Sequence, residues 1–131
     1  MSIDNYVKIF KALGEPSRLR MLKILSVRPM YVCELEKVLQ MSQPRISQHL
    51  RVMKHAGLVT ERKEAQRTFY ALKIDYLDEQ FKELLEFFHA DLESLPLFIE
   101  EYQRHKELEE DSGVAQCKEG KTEAVKLEQE A

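Results

Sequence analysis

Met41-Ser42-Gln43-Pro44-Arg45-Ile46-Ser47-Gln48-His49-Leu50-Arg51-Val52-Met53-Lys54-His55-Ala56-Gly57-Leu58 is the stretch whose reading decides the fold. It reads as a capped helix. Ser42 suits the N-cap, Gln43 and Pro44 fall in the first turn where a missing N–H costs nothing, and Gly57 stops the helix. Ile46, Leu50 and Met53 recur at the helical period and point to a core. Arg45, Gln48 and the Ser47 hydroxyl then project from other faces near the N-terminal end, the part of a recognition helix that meets base edges. Arginine matches guanine and glutamine matches adenine by paired hydrogen bonds. An ordinary amphipathic surface helix shares this pattern, so the flanks have to decide.

Upstream, Val32 to Leu39 is a short helical pattern with Val32, Leu35, Val38 and Leu39 on one stripe, followed by the tight connection Gln40-Met41. Two helices joined in this way form a helix-turn-helix. Downstream, Leu58 to Lys63 and Arg67 to Lys73 read as two strands around the polar turn Glu64-Ala65-Gln66. The expected fold is therefore mainly α, of α+β class: a winged helix-turn-helix with a two-stranded hairpin as its wing. Arg62, Lys63 and Arg67 lie near the wing tip, where they suit phosphates and equally suit a hairpin edge guarded by charge.

Phe10-Lys11-Ala12-Leu13-Gly14-Glu15-Pro16-Ser17-Arg18-Leu19-Arg20-Met21-Leu22-Lys23-Ile24-Leu25 precedes these elements. Together with Tyr31-Val32-Cys33-Glu34-Leu35, Ser42-Gln43 through Gly57-Leu58-Val59 and the wing, it is similar to the ArsR/SmtB family of bacterial and archaeal metalloregulatory repressors. The resemblance covers roughly Tyr6 to Lys73, continues less specifically to about Glu107, and rests on several motifs in order. It implies a homodimer that binds double-stranded operator DNA. The expected contacts are Gln43, Pro44, Arg45, Ser47, Gln48, His49 and Arg51 on the helix, with Arg62, Lys63 and Arg67 on the wing.

The net charge of −3 conceals a division. Residues 1–73 carry 14 Lys and Arg against 6 Asp and Glu, a balance of +8, whereas residues 74–131 carry 6 against 17, a balance of −11. The basic part holds the helix-turn-helix, so DNA affinity should fall with salt while the acidic part stays away from the backbone. At 131 residues, one domain with a modest core is expected. No stretch approaches a membrane span, no signal peptide is visible, and two distant cysteines do not make a disulfide scaffold, which points to the cytoplasm.

Ile3 to Leu13 reads as a first helix with Val7, Ile9, Phe10 and Leu13 apolar, broken by Gly14-Glu15-Pro16. A second helix opens at Pro16 or Ser17 and sends Leu19, Leu22, Ile24 and Leu25 into the core. Asp75 to Leu92 shows Leu77, Phe81, Leu84, Leu85, Phe88 and Leu92 at helical spacing, with Phe87 widening the stripe. Pro96 should kink this helix or start a new one capped by Ser94. The apolar surplus exceeds what a small winged helix needs. We expect a homodimer through the terminal helices, with Val7, Phe10, Leu84, Leu85, Phe88 and Leu92 at the interface. The domain should run over residues 1–107, and residues 108–131 should form an acidic, disordered or weakly helical tail.

Cys33 is the sharpest chemical candidate. Tyr31-Val32-Cys33-Glu34-Leu35 resembles the family's arsenic-sensing motif Cys-Val-Cys-Asp-Leu, with Tyr31 in place of the first cysteine. A thiolate near a helix N-terminus is a soft ligand for arsenite, antimonite or another thiophilic inducer. One thiol is a poor metalloid site, and Cys117 is the other cysteine, so the pair is the expected metal site; an inert Cys33 is the plain alternative. Oxidation or persulfidation of Cys33 and Cys117 is a further reading. His89, Asp91, Glu101 and His105 lie in the region where the family's zinc sensors place their ligands, but those sensors' spacing is not reproduced. No cofactor is required by this reading.

The expected function is thus a repressor released from its operator by a thiol-reactive signal, arsenite or antimonite first. The competing class is a protein-interaction module built on a winged helix without DNA readout, against which the polar set from Gln43 to Gln48 and the basic half both count. An enzyme is disfavoured, because no nucleophile with a base, phosphate loop or paired acids stands out.

Overall fold

The computed structural model describes residues 2–119 and divides the chain into two compact units, Met1–Phe88 and His89–Ala131. The first unit contains α1 (Ile3–Leu13), α2 (Pro16–Val27), β1 (Met30–Tyr31), α3 (Val32–Leu39), α4 (Gln43–His55), β2 (Val59–Glu64), β3 (Arg67–Leu72) and α5 (Ile74–His89, whose last residue opens the second unit). Helix punctuation is local. Glu15 caps α2 by accepting the Arg18 N–H at 3.0 Å, with Pro16 at the first helical position. The C-terminus of α1 is closed by Arg18, whose guanidinium donates to the carbonyls of Ala12 (2.7 Å) and Lys11 (3.0 Å).

The wing is larger than the two-stranded hairpin the sequence suggests. β1 joins it, giving an antiparallel sheet in the order β1-β3-β2, with Met30 opposite Tyr70, Tyr31 opposite Phe69, and Glu61 opposite Tyr70. Pro29 prevents α2 from continuing, which frees Met30 and Tyr31 to pair with β3. The hairpin closes on Ala65-Gln66, where Ala65 takes a left-handed φ of 54°.

The core gathers one stripe from each of the helices α1 to α4: Ile9 and Ala12, Met21, Leu22 and Leu25, Leu35, then Ile46, Leu50 and Met53, with Leu58, Val59 and Tyr70 from the sheet side. Leu19, expected inside, is 52 % exposed. Met21, Leu22 and Leu25 form one stripe, and at about 100° per residue Leu19 stands about 110° from its centre. The fully buried residue missing from the expected set is Met21.

α5 lies against α1. Asn5 donates to the Tyr76 hydroxyl (3.1 Å) and to Gln80 (2.9 Å), the Tyr6 hydroxyl donates to Glu83 (3.1 Å), and Phe10 meets Phe81 edge-on at 6.4 Å. Leu84 is half-buried and lines the crevice beside Ile9 and Phe10. Val7, Phe10, Leu85 and Phe88 remain exposed, Leu85 at 59 % and Phe88 at 70 %.

The apolar stripe does not continue to Leu92 within α5, because that helix ends at His89. In the second unit, Leu92–Ser94 and Pro96–Phe98 are single 3₁₀ turns, followed by α6 (Ile99–Lys106), a further turn at Leu108–Glu110 and α7 (Ser112–Glu119). Ser94 is not the cap of a new helix. Its hydroxyl and N–H both donate back to the Asp91 carbonyl, at 2.7 and 3.0 Å, and Pro96 holds Leu95 extended. None of the described residues of this unit is buried. The expected tail begins at residue 108, and its remainder, residues 120–131, lies outside the described residues. No helix among the described residues is long and apolar enough to cross a membrane.

Candidate nucleic-acid interface

α4 is positioned by its two ends and its inner face. α3 stops at Gln40, whose left-handed φ of 53° turns the chain, and Met41 donates back to Glu36 at 3.3 Å. Ser42 occupies the N-cap position, but its side chain makes no capping bond. An N-cap oxygen takes the second or third helical N–H, and here the second residue is Pro44, which has none. The C-terminus closes in a Schellman arrangement: Leu58 N–H donates to Met53 (2.9 Å) and Gly57 N–H to Lys54 (3.0 Å), with Leu58 and Met53 both buried. Gly57 has a φ of 79°, and a Cβ there would stand 3.2 Å from the Tyr76 ring.

With Ile46, Leu50 and Met53 at no more than 1 % exposure, the opposite side of α4 is fixed toward solvent. Pro44, Gln48 and Arg51 line its outermost stripe, flanked by Arg45 on one side and by Gln43 and Ser47 on the other. Gln43 Nε2 donates to the Ser47 hydroxyl at 3.1 Å. Arg45, Gln48 and Arg51 are exposed and hold no hydrogen bond or ion pair within the described residues. His49 points elsewhere: it is half-buried, with Nδ1 at 3.4 Å from the Arg18 guanidinium. Its contact therefore fastens α4 to the junction of α1 and α2.

The wing's cations are not equally free. Arg62 pairs with Glu64 at 2.8 Å and lies 4.8 Å over the Phe69 ring, and Arg67 lies 5.4 Å over Tyr31. Tyr31 packs on Phe69 at 5.0 Å and donates its hydroxyl to Glu64 at 3.2 Å. Lys63 has no ion-pair partner among the described residues. One fastening was invisible in the sequence. Lys54 of α4 meets Glu61 of β2 at 3.4 Å, and Glu61 accepts the Tyr70 hydroxyl at 2.6 Å, which links the helix to the wing. The Tyr70 hydroxyl bond, and behind it Lys54, lower the Glu61 pKa, whereas burial and then Glu61 push Tyr70 up to about 12.

Cys33 is the second residue of α3 and is exposed. It lines an open cleft of about 310 Å³ together with Tyr31, Glu36, Gln43 and Arg67, so the thiol sits between the first residue of α4 and the wing. Tyr31, where the family motif has cysteine, holds the N-cap position of α3, and its N–H donates to Glu34 at 3.0 Å. Arg28 also binds Glu34, at 2.6 Å, and the two bonds draw the Glu34 pKa down. Cys117 is exposed on α7 in the other unit. His89, Asp91, Glu101 and His105 do not converge, and among the described residues no group of three His, Cys, Asp or Glu side chains is arranged to hold a metal ion.

The sequence profile of the bacterial regulatory proteins of the arsR family matches residues 15–61, from the cap of α2 to β2. An uncharacterised HTH-type transcriptional regulator of Methanocaldococcus jannaschii is 41 % identical over 83 residues, a span that is 63 % of this chain and 89 % of that protein. The chain belongs to the ArsR family. The arsenical resistance operon repressor of Staphylococcus xylosus is 37 % identical over 78 residues, 60 % of this chain and 75 % of its own. Among solved structures, HlyU from Vibrio cholerae superposes with a TM-score of 0.53 at 35 % identity, covering 64 % of this chain and 97 % of that one. Members of the ArsR family are DNA-binding transcription regulators with a winged-helix fold, and that is the class of this chain.

Proposed function

We propose that this ArsR-family chain is a cytoplasmic, homodimeric repressor that reads an inverted-repeat operator with α4 and is released by a thiol-reactive signal, arsenite or antimonite first. The observation that carries the DNA reading is the outer side of α4, where Arg45, Gln48 and Arg51 are presented on a rigid helix without internal partners. A buried inner face fixes the direction of these groups, so their donors and acceptors are preorganised for base edges. The exposed apolar side chains of α1 and α5 support the dimer, whose twofold axis is what an inverted repeat demands.

The release step rests on Cys33. A thiol that binds arsenite loses its proton to a hydroxyl leaving arsenic as water, so one As–S bond replaces one As–O bond. Further bonds need other thiols, from Cys117, a second copy or a small thiol. An adduct at Cys33 occupies the cleft between Gln43 and Arg67, and release follows to the extent that the adducted state binds DNA less tightly. The S. xylosus arsenical resistance repressor lends this choice of signal its support.

The test is binding of the DNA upstream of the chain's own gene at fixed salt, repeated with arsenite, zinc, cadmium and a disulfide oxidant. Arsenite should release the parent, and Cys33→Ser should bind equally well but stay bound. Cys117→Ser separates a shared site from one completed by an external thiol. A Cys33→Ser protein that responds to every agent as the parent does would overturn the thiol reading.

A further inference from the structure

Beside the reading face, on the side of α4 toward α1, lies a second concave site of about 410 Å³. Its rim carries Lys8 and Lys11 from α1 and Arg51 and His55 from α4, over a floor that includes Ala12 and Val52, and no carboxylate lines it. All four rim side chains are exposed, and none holds an ion pair or hydrogen bond among the described residues. Three unpaired cationic groups, Lys8, Lys11 and Arg51, around one hollow repel each other and call for an anion.

We infer that this hollow grips the DNA sugar-phosphate backbone flanking the bases read by Arg45 and Gln48, making α1 part of the DNA-binding surface. The inference rests on the DNA reading proposed above and adds Lys8 and Lys11 to it. Two features select duplex phosphate over a small free anion. The site is continuous with the reading face, since Gln48, Arg51 and His55 follow one another at the helical period on a single stripe of α4. Its distance also fits. Along α4, His55 lies about 10 Å beyond Gln48, comparable with the roughly 12 Å width of the major groove, so a helix with Gln48 at base edges brings His55 to the groove wall. The apolar floor suits the deoxyribose, and the rim cations suit the phosphates on either side.

The experiment measures the salt dependence of binding to operator and to unrelated duplex for Lys8→Gln/Lys11→Gln, for a control pair Lys23→Gln/Lys82→Gln, and for Arg45→Ala. Both lysine pairs are exposed, so each variant keeps the fold, which circular dichroism and sedimentation verify. Losing two phosphate contacts per chain, four per bound dimer, should reduce the slope of log affinity against log salt by about 3.6 in magnitude. Affinity for both duplexes should fall by the same factor, leaving their ratio unchanged. The control pair should keep the parent slope, and Arg45→Ala should lower the ratio. If Lys8→Gln/Lys11→Gln keeps the parent slope while Arg45→Ala weakens operator binding, or if both lysine pairs lower the slope alike, this inference is wrong and the reading by α4 stands. If Arg45→Ala and the lysine variants all bind as the parent does, the DNA reading itself has failed.

Discussion

α4 and α5 are amphipathic helices of one unit with opposite outer faces. α4 sinks Ile46, Leu50 and Met53 completely and turns Arg45, Gln48 and Arg51 outward, whereas α5 has no buried residue and turns Leu85 and Phe88 outward. Hydrophobic periodicity alone does not tell a helix that has finished burying its apolar side from one that still needs a partner. What separates them is the remainder after packing. α4 leaves unpaired polar groups, which ask for a polar surface such as DNA. α5, with Phe10 of α1 45 % exposed beside it, leaves an aromatic and aliphatic face, the one that the proposed dimer would cover.

The sharpest way to break that contrast is to make the outer face of α5 resemble that of α4. Leu85→Glu/Phe88→Glu introduces two charges where a dimer would bury them unpaired. The variant should sediment as a folded monomer and lose about 10²–10⁴-fold in affinity for a two-half-site operator, because the second half-site no longer binds as part of the same particle. Affinity for a single half-site should change little. A dimer that survives both substitutions would assign the exposed face of α5 to another occupant.

A smaller effect is expected when the outer face of α4 is emptied. Arg45→Ala and Gln48→Ala should each cost about 1–3 kcal/mol of operator binding and relax the preference at one base pair, with stability unchanged. Competition between operator and single-base variants measures this directly. Uniform weakening on all sequences would mean that the two residues touch phosphate and that base reading lies elsewhere on the helix.

What the chain reveals before folding follows the same division. The helix-turn-helix was legible because its signals are local: Gly57 has to be left-handed, Pro44 fits a first turn, and the Ile46-Leu50-Met53 stripe has a fixed period. β1 was not, since two residues carry no period and Met30 and Tyr31 become a strand only by pairing with residues about 40 positions later. Leu19 was misplaced inside because α2 has apolar residues on several sides, and packing selects the Met21 stripe. The candidate contacts of α4 were readable as exposed polar groups, but His49 was drawn off by Arg18, and Arg62 by Glu64 and Phe69, through contacts that sequence spacing does not encode.

The smallest expected effect concerns the fastening that keeps the outer face of α4 in register with the wing. Glu61 ties Lys54 of α4 to Tyr70 of β3, and its bond to the Tyr70 hydroxyl is 2.6 Å long. A glutamate whose folded pKa is lowered stabilises the fold at pH values above its ordinary range, and that contribution is lost as pH falls through the lowered value. Tyr70 behaves in the opposite sense. With its pKa raised from 10.0 to about 12, it contributes fully below pH 10.0 and loses that contribution as pH rises through about 12. Tyr70→Phe should therefore lower stability by about 0.5–1.5 kcal/mol near neutrality, the usual worth of one hydrogen bond, and flatten both the acid and the alkaline limbs of the stability profile. Denaturant titrations from acid to alkaline pH give the profile. Equal limbs in parent and variant would remove Tyr70 from the fastening and leave Lys54 as the link between α4 and the wing.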